Sequence, residues 1–211
     1  MSKVCVYKRK ENNKLGLGVS VADETATVQD LLAVWEPLAD DPRLPKKYAQ
    51  DTNLCRGCLN NCCHSAFVIP DLVAFKALSK RCGMTPEKML AAYFDPDSLR
   101  MGIPRLGPGL CPFLKDRICT VYPERSLLCR FYLCTHILGE TEELLYSVVT
   151  AGVAATLIWL EELKLLPKGR GLTGFDQVLT NLLASYRQHP GTAAFLAATD
   201  YSQVKLKLFI K

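Results

Sequence analysis

Histidine is scarce in this sequence of 211 residues, with three in all, and none stands at the spacing of a Cys2His2 finger, so that zinc fold is not expected. No G-x-G-x-x-G loop is present. "LGLG" at 15–18 lies in an alternating apolar stretch and "KGRGLTG" at 168–174 joins helical patterns, so a dinucleotide cradle is not expected either. The net charge of +5 is mild and forms no dense stripe of Lys and Arg, which argues against nucleic-acid binding. There is no internal repeat and no low-complexity run. Lys8, Arg9 and Lys10 are not followed by an uninterrupted apolar segment or a small-residue cleavage site, so the expected location is cytoplasmic, with reduced thiols. The longest uncharged run, Leu144 to Leu160, is short of the about 20 residues of a membrane span and is flanked by Glu142, Glu143, Glu161 and Glu162. A buried core helix is the expectation, with no membrane partner.

What is present suits one domain, residues 1–211, mainly α with a small antiparallel β-hairpin or sheet built from the termini. "KVCVYK" and "LGLGVSVA" alternate with period two around "KENNK", predicting a hairpin over residues 3–22 within an N-terminal segment 1–25. "VKLKLFIK" alternates as well and predicts a C-terminal strand beside that hairpin. Helical spacing appears at Val28, Leu31, Leu32 and Trp35, with Pro37 as a stop. "PDLVAFKALSKRCG" reads as a helix from the proline to a Gly83 cap, and "TPEKMLAAYF" as one capped by Thr85. Within a helical region 141–190, residues 141–166 predict the longest helix and "FDQVLTNLLASYRQ" another. Residues 95–127, with five prolines and three glycines, read as one long irregular segment, and such segments in compact domains tend to be functional.

The chain has ten cysteines, although a core of this size needs no disulfide staples. Eight fall in two groups within residues 55–134: Cys55, Cys58, Cys62 and Cys63 in "CRGCLNNCC", then Cys111, Cys119, Cys129 and Cys134 in "CPFLKDRICTVYPERSLLCRFYLC". Thiolates are soft donors that select zinc, iron-sulfur clusters or copper(I). If residues 55–62 are helical, Cys55, Cys58 and Cys62 fall within about 60 degrees on one face, with Cys63 the odd member at about 80 degrees from Cys55. A ligand from the later group would complete a four-thiolate site, and the cysteine-rich irregular segment would wrap around it. A second site that includes Cys63 stays open. Cys5 and Cys82 sit alone on apolar faces and read as packing.

Only one C-x2-C is present, and Cys111 is followed by a proline as in ferredoxin ligation; C-x2-C-x3-C is the reverse of the radical S-adenosylmethionine order. The reading taken is an iron-sulfur cluster, [4Fe-4S], with zinc as the alternative. Four thiolates around either leave a net charge of about −2 that must be balanced, and Arg56, Arg117, Arg125 and Arg130 stand beside the cysteines. Arg125 and Arg130 bracket Cys129 and are the candidate cofactor-binding pair that holds the ligands. His64 and His136 lie close to the motifs as alternative ligands or ordinary hydrogen-bonded side chains. Tyr122, Phe131 and Tyr132 are candidates for a pocket lining or for core packing.

These motifs resemble the CxxCxxxCC cysteine-cluster family, the YkgJ-like zinc- or iron-chelating domains. The matching positions are "CRGCLNNCC", then Cys111, Phe113, Leu114, Cys119, Val121, Tyr122, Arg125, Cys129 and Arg130. Ser126 departs from the pattern, because the family's Arg is followed by Pro. The same cysteine domain is similar to the cluster-bearing part of flagellin lysine-N-methylases. That resemblance implies a second function, S-adenosylmethionine-dependent methylation of a lysine on a protein partner or substrate. Three classes therefore stay open: a non-catalytic metal-binding protein, that methyltransferase, and a thiol redox sensor. Oligomeric state is not legible.

Overall fold

The computed structural model describes residues 2–11, 13–44, 57–58, 62–64, 66–166, 181 and 183–210. Strands β1 (Val4–Glu11) and β2 (Lys14–Val21) form the expected hairpin, paired antiparallel from Val4↔Val21 to Glu11↔Lys14. Its turn passes through Asn13 at φ 61, a left-handed conformation that asparagine tolerates better than most residues. Val4 and Leu17 are buried. Cys5, opposite Ser20, is exposed, which corrects its placement on an apolar face: Val4 faces the core and its neighbour must face away.

Helix α1 (Val28–Trp35) buries Val28, Leu31, Leu32 and Trp35, the face its spacing predicts. A capping box starts it, with Thr27 Oγ1 accepting from the Asp30 N–H and the Asp30 carboxylate accepting from the Thr27 N–H. Pro37 does not end the chain's winding but tightens it into a 3-10 turn, Glu36–Asp40. Helix α2 (Leu72–Cys82) is capped by Asp71, one residue after the proline read as its start, and ends at left-handed Gly83. Thr85 caps α3 (Pro86–Tyr93) as expected.

The stretch read as irregular has more structure than its prolines and glycines suggest. Asp95 caps a short helix α4 (Pro96–Arg100), with proline in the first turn, where no amide donor is required. Strands β3 (Leu114–Lys115) and β4 (Ile118–Cys119) form a tight hairpin whose central residues Asp116 and Arg117 both have positive φ, as a primed turn requires. A 3-10 turn at Tyr122–Glu124 leads into α5 (Leu127–Phe131).

Helix α6 (Gly139–Glu162) is the spine. By length and composition it is apolar enough to cross a membrane, yet 61% of its most apolar window is buried inside the fold. Leu145, Val148, Ala151 and Ala155 join a core with β1, β2, α1 and the C-terminal segment, whereas Ala154, Leu157 and Leu160 join a second core with α2, α3, Phe113 and Val121. It starts two residues before the predicted position and stops at Glu162, because Lys164 turns left-handed and Leu165 N–H bonds the Leu160 carbonyl. Residues 183–187 are helical, whereas the rest of the helix expected over "FDQVLTNLLASYRQ" lies largely outside the described residues. Helix α7 (Pro190–Ala197) packs on α6.

The expected C-terminal strand is not formed. Residues Tyr201–Gln203 and Leu206–Leu208 are 3-10 turns, and among the described residues the hairpin sheet stays two-stranded. Val204, Leu206 and Phe209 all enter the core, and reaching it with Leu206 and Phe209 three residues apart requires a turn rather than a pleat. Two backbone bonds, Val28 N–H to Val204 and Leu206 N–H to Ala26, join this segment to the start of α1 instead.

Candidate metal centre

The first cysteine group is not one α-helix. Gly57 has φ 79, in the left-handed region, and the helical turn that follows is a separate 3-10 segment, Cys62–His64. The shared face argued for Cys55, Cys58 and Cys62 falls largely outside the described residues, since Cys55, Arg56 and residues 59–61 are not among them; Cys58 is half-buried beside Gly57.

The structure brings a different set together. Cys111 N–H donates to the Cys63 carbonyl at 3.2 Å, joining the two cysteine segments through their backbones. Cys119 follows on β4, held against the same loop by Thr120 N–H and Oγ1, both donating to the Phe113 carbonyl at 2.8 and 3.0 Å. Cys129 sits in the middle of α5, its N–H on the Ser126 carbonyl at 2.9 Å. Cys111, Cys119 and Cys129 pack their sides against the second core.

Cys62 and Cys63 share a hydrogen bond that lowers Cys62 to about 7 and raises Cys63, whose thiol is further raised by burial and by Cys62, Cys111 and Cys129. Burial, then Cys111 and Cys62, push Cys129 up to about 12. Burial also raises Cys111 and Cys119. Cys63 thus feels Cys62, Cys111 and Cys129, while Cys111 feels Cys119 and Cys62, and Cys129 feels Cys111, Cys62 and Cys119. Among the described residues no three Cys, His, Asp or Glu side chains stand in an arrangement that would itself hold a metal ion. The donor chemistry still fits one. Packed thiols that resist ionising are relieved by a soft cation, which takes the place of their protons.

Arg125 and Arg130 converge on one carboxylate that the sequence reading missed. Arg130 forks onto Glu36, with Nε to Oε1 and Nη2 to Oε2 both at 2.7 Å, and Arg125 Nη2 reaches Oε1 at 3.4 Å. Arg125 is further fixed by Nε donating to the Tyr122 carbonyl at 3.0 Å and by stacking 3.5 Å from the Tyr122 ring centre. Its charge favours the thiolates of Cys62, Cys119 and Cys129. Arg130 lies 5.3 Å from the Tyr201 ring. Arg117 stands in the exposed β3–β4 turn.

Cys134 opens onto a groove of about 720 Å³ between β2, the end of α5 and α6, with Phe131, Tyr132, His136 and Tyr146 among its walls. Phe131 is also buried core and Tyr132 is exposed, so the two aromatics do different work. His136 Nε2 lies 3.7 Å from Glu11, and His64 is exposed at the end of its turn.

Residues 54–148 match the family model CxxCxxCC, described as "Putative zinc- or iron-chelating domain". This segment, somewhat under half of the chain, is similar to that family. The chelating domain runs beyond the last cysteine into α6, so α2 through α5 and the first part of the spine are all within it. The family's name has two residues between the second and third cysteines; this chain has three, at positions 59–61. Comparison with curated proteins and with solved structures finds no match.

Ser126 stands in a backbone conformation that a proline would also adopt. Its φ of −56 falls where a pyrrolidine ring would lock it, and Arg125 before it is extended at ψ 143, the conformation that precedes proline.

Proposed function

We propose that this is a cytoplasmic metal-binding protein that holds an iron-sulfur centre, [4Fe-4S], or zinc in its place, through thiolates drawn from both cysteine segments. The single observation that carries the reading is the Cys111–Cys63 backbone bond, which joins the two cysteine segments; Cys62, beside Cys63, and Cys129, on α5, complete the set proposed. In this reading those four residues, with Cys119 at the margin, are the candidate ligands. Cys55, Cys58 and Cys134 belong to the same chelating segment. The family's description as zinc- or iron-chelating supports metal of either kind. Sulfur donors favour iron-sulfur or zinc over hard cations, and a bound centre supplies electron storage in the first case and rigid cross-linking in the second. The chain's own residues do the rest: α5 carries Cys129, the β3–β4 hairpin carries Cys119, and Arg125 and Arg130 place positive charge beside the thiolates.

Purification without oxygen, followed by elemental analysis and a visible spectrum, tests the proposal. Brown protein with iron and acid-labile sulfide is the expected result. Colourless protein with stoichiometric zinc selects the alternative, and protein without either metal overturns both.

A further inference from the structure

Glu36 lies outside the chelating domain, in the 3-10 turn that ends α1, yet Arg125 and Arg130 of the domain close on its carboxylate. The two guanidinium groups are nearly buried, with side chains only 13% and 11% exposed. Two cations that close to each other and that far from water need a fixed anion between them, or one of them must leave. Glu36 supplies it, and it does so unequally. Its two oxygens are taken up in the parallel fork to Arg130, which satisfies that charge fully. Arg125 receives only one long contact from it and is completed by the Tyr122 carbonyl and ring. Arg125 is therefore anchored but not neutralised, in the turn that leads into α5, where Arg130 directly follows Cys129.

We propose that Glu36 is a positioning residue of the thiol centre: by neutralising Arg130 and pinning Arg125, it leaves one directed positive charge for a metal held by the cysteines. This rests on the metal-binding reading above. The N-terminal layer is then a working part of the chelating domain rather than a separate cap, because the anchor of the domain's arginines comes from it.

Zinc is the probe, added to the metal-stripped full-length protein and competed against a chromophoric chelator. Loss of an orienting partner of this kind typically weakens metal binding by about 10-fold or more. Glu36→Gln keeps the size of the side chain and removes its charge, and is expected to weaken zinc by about 10-fold. In an Arg125→Gln background the same substitution is expected to do little further, since the residue through which Glu36 acts is already gone. A purely structural role gives additive losses instead. A second readout needs no metal: the Arg130 Nε–H, which donates to Glu36, should be protected in a nitrogen-15 NMR spectrum of the wild type and lost to exchange in Glu36→Gln. Unchanged zinc affinity in Glu36→Gln, additive losses, or a persistent Arg130 Nε–H signal overturn the proposal. A wild-type chain that takes up neither zinc nor iron fails the metal-binding reading and this inference with it, whereas normal zinc binding by Glu36→Gln fails this inference alone.

Discussion

The N–H of Cys111 and the carbonyl of Cys63 meet at 3.2 Å, so the two cysteine groups share a backbone contact before any sulfur is considered. A ligand that binds only the folded state stabilises it by about 2.7 kcal/mol at 100 times its dissociation constant. Zinc added at that excess is expected to raise the unfolding free energy of the wild type by that amount. Cys111→Ala and Cys129→Ala should forfeit most of the gain, and Cys5→Ala, on the exposed face of β1, should keep it. Urea titrations with and without zinc make the comparison, and a full gain in either of the first two variants would remove that residue from the ligand set.

Asp71 is fully buried and gathers three donors, one local and two from distant parts of the chain: Ala74 N–H at 3.1 Å, then Leu127 N–H at 2.8 Å and the Tyr201 hydroxyl at 2.9 Å. Each buried donor left without a partner costs about 1–3 kcal/mol. Asp71→Ala is therefore expected to lose about 3 kcal/mol or more, and Tyr201→Phe, which removes one donor and leaves the others paired, about 1 kcal/mol. Denaturant unfolding of both variants gives the ratio. Equal losses would mean that the carboxylate is not the hub.

Ser126→Pro should stabilise the chain. The backbone already has proline's φ, the preceding Arg125 is extended, and the serine hydroxyl is buried without a partner among the described residues. Restricting the unfolded chain at a compatible site is worth about 0.4–1 kcal/mol. A lower melting temperature in this variant would show that the Ser126 N–H is needed where it is.

The Thr27–Asp30 capping box sets an acid limit on α1. The Thr27 hydroxyl and backbone N–H hold the Asp30 carboxyl below its ordinary value of 3.8. A carboxyl with a depressed folded value contributes stability that is complete above pH 3.8 and is lost as the pH falls through the folded value. Asp30→Asn should flatten the stability profile over that acid window, and Thr27→Ala should cost about 1 kcal/mol at neutral pH as a lost cap. Circular dichroism at 222 nm through an acid titration measures the first, and thermal melts the second.

Local rules carried much of the fold in advance. The hairpin, the buried stripe of α1 and the caps at Gly83 and Thr85 each follow from residues a few positions apart, and the sequence shows them directly. The D-P pair at 95–96 was also a legible start signal, obscured by the surrounding prolines and glycines. The C-terminal segment misled because alternation over Val204, Leu206 and Leu208 fits a strand as well as two short turns, and only the position of the core distinguishes them. At the candidate site, cysteine identity was legible and cysteine grouping was not. The helical projection of residues 55–62 assumed a conformation that Gly57 breaks, and it set aside Cys63, the residue whose carbonyl joins the two segments. Glu36 left no local mark, since its partners lie in a segment that only tertiary folding brings near.

The turn that carries Cys129 is fastened at both ends, by Asp71 at the Leu127 N–H and by the Trp35 indole N–H, which donates to the Phe131 carbonyl at 3.0 Å. A shift of that turn by a fraction of an ångström therefore moves the acceptor of a fully buried indole, whose ultraviolet emission is sensitive to such a bond. With Trp159→Phe silencing the other tryptophan, Trp35 emission is expected to change when zinc is added if Cys129 is a ligand, a test that needs no label.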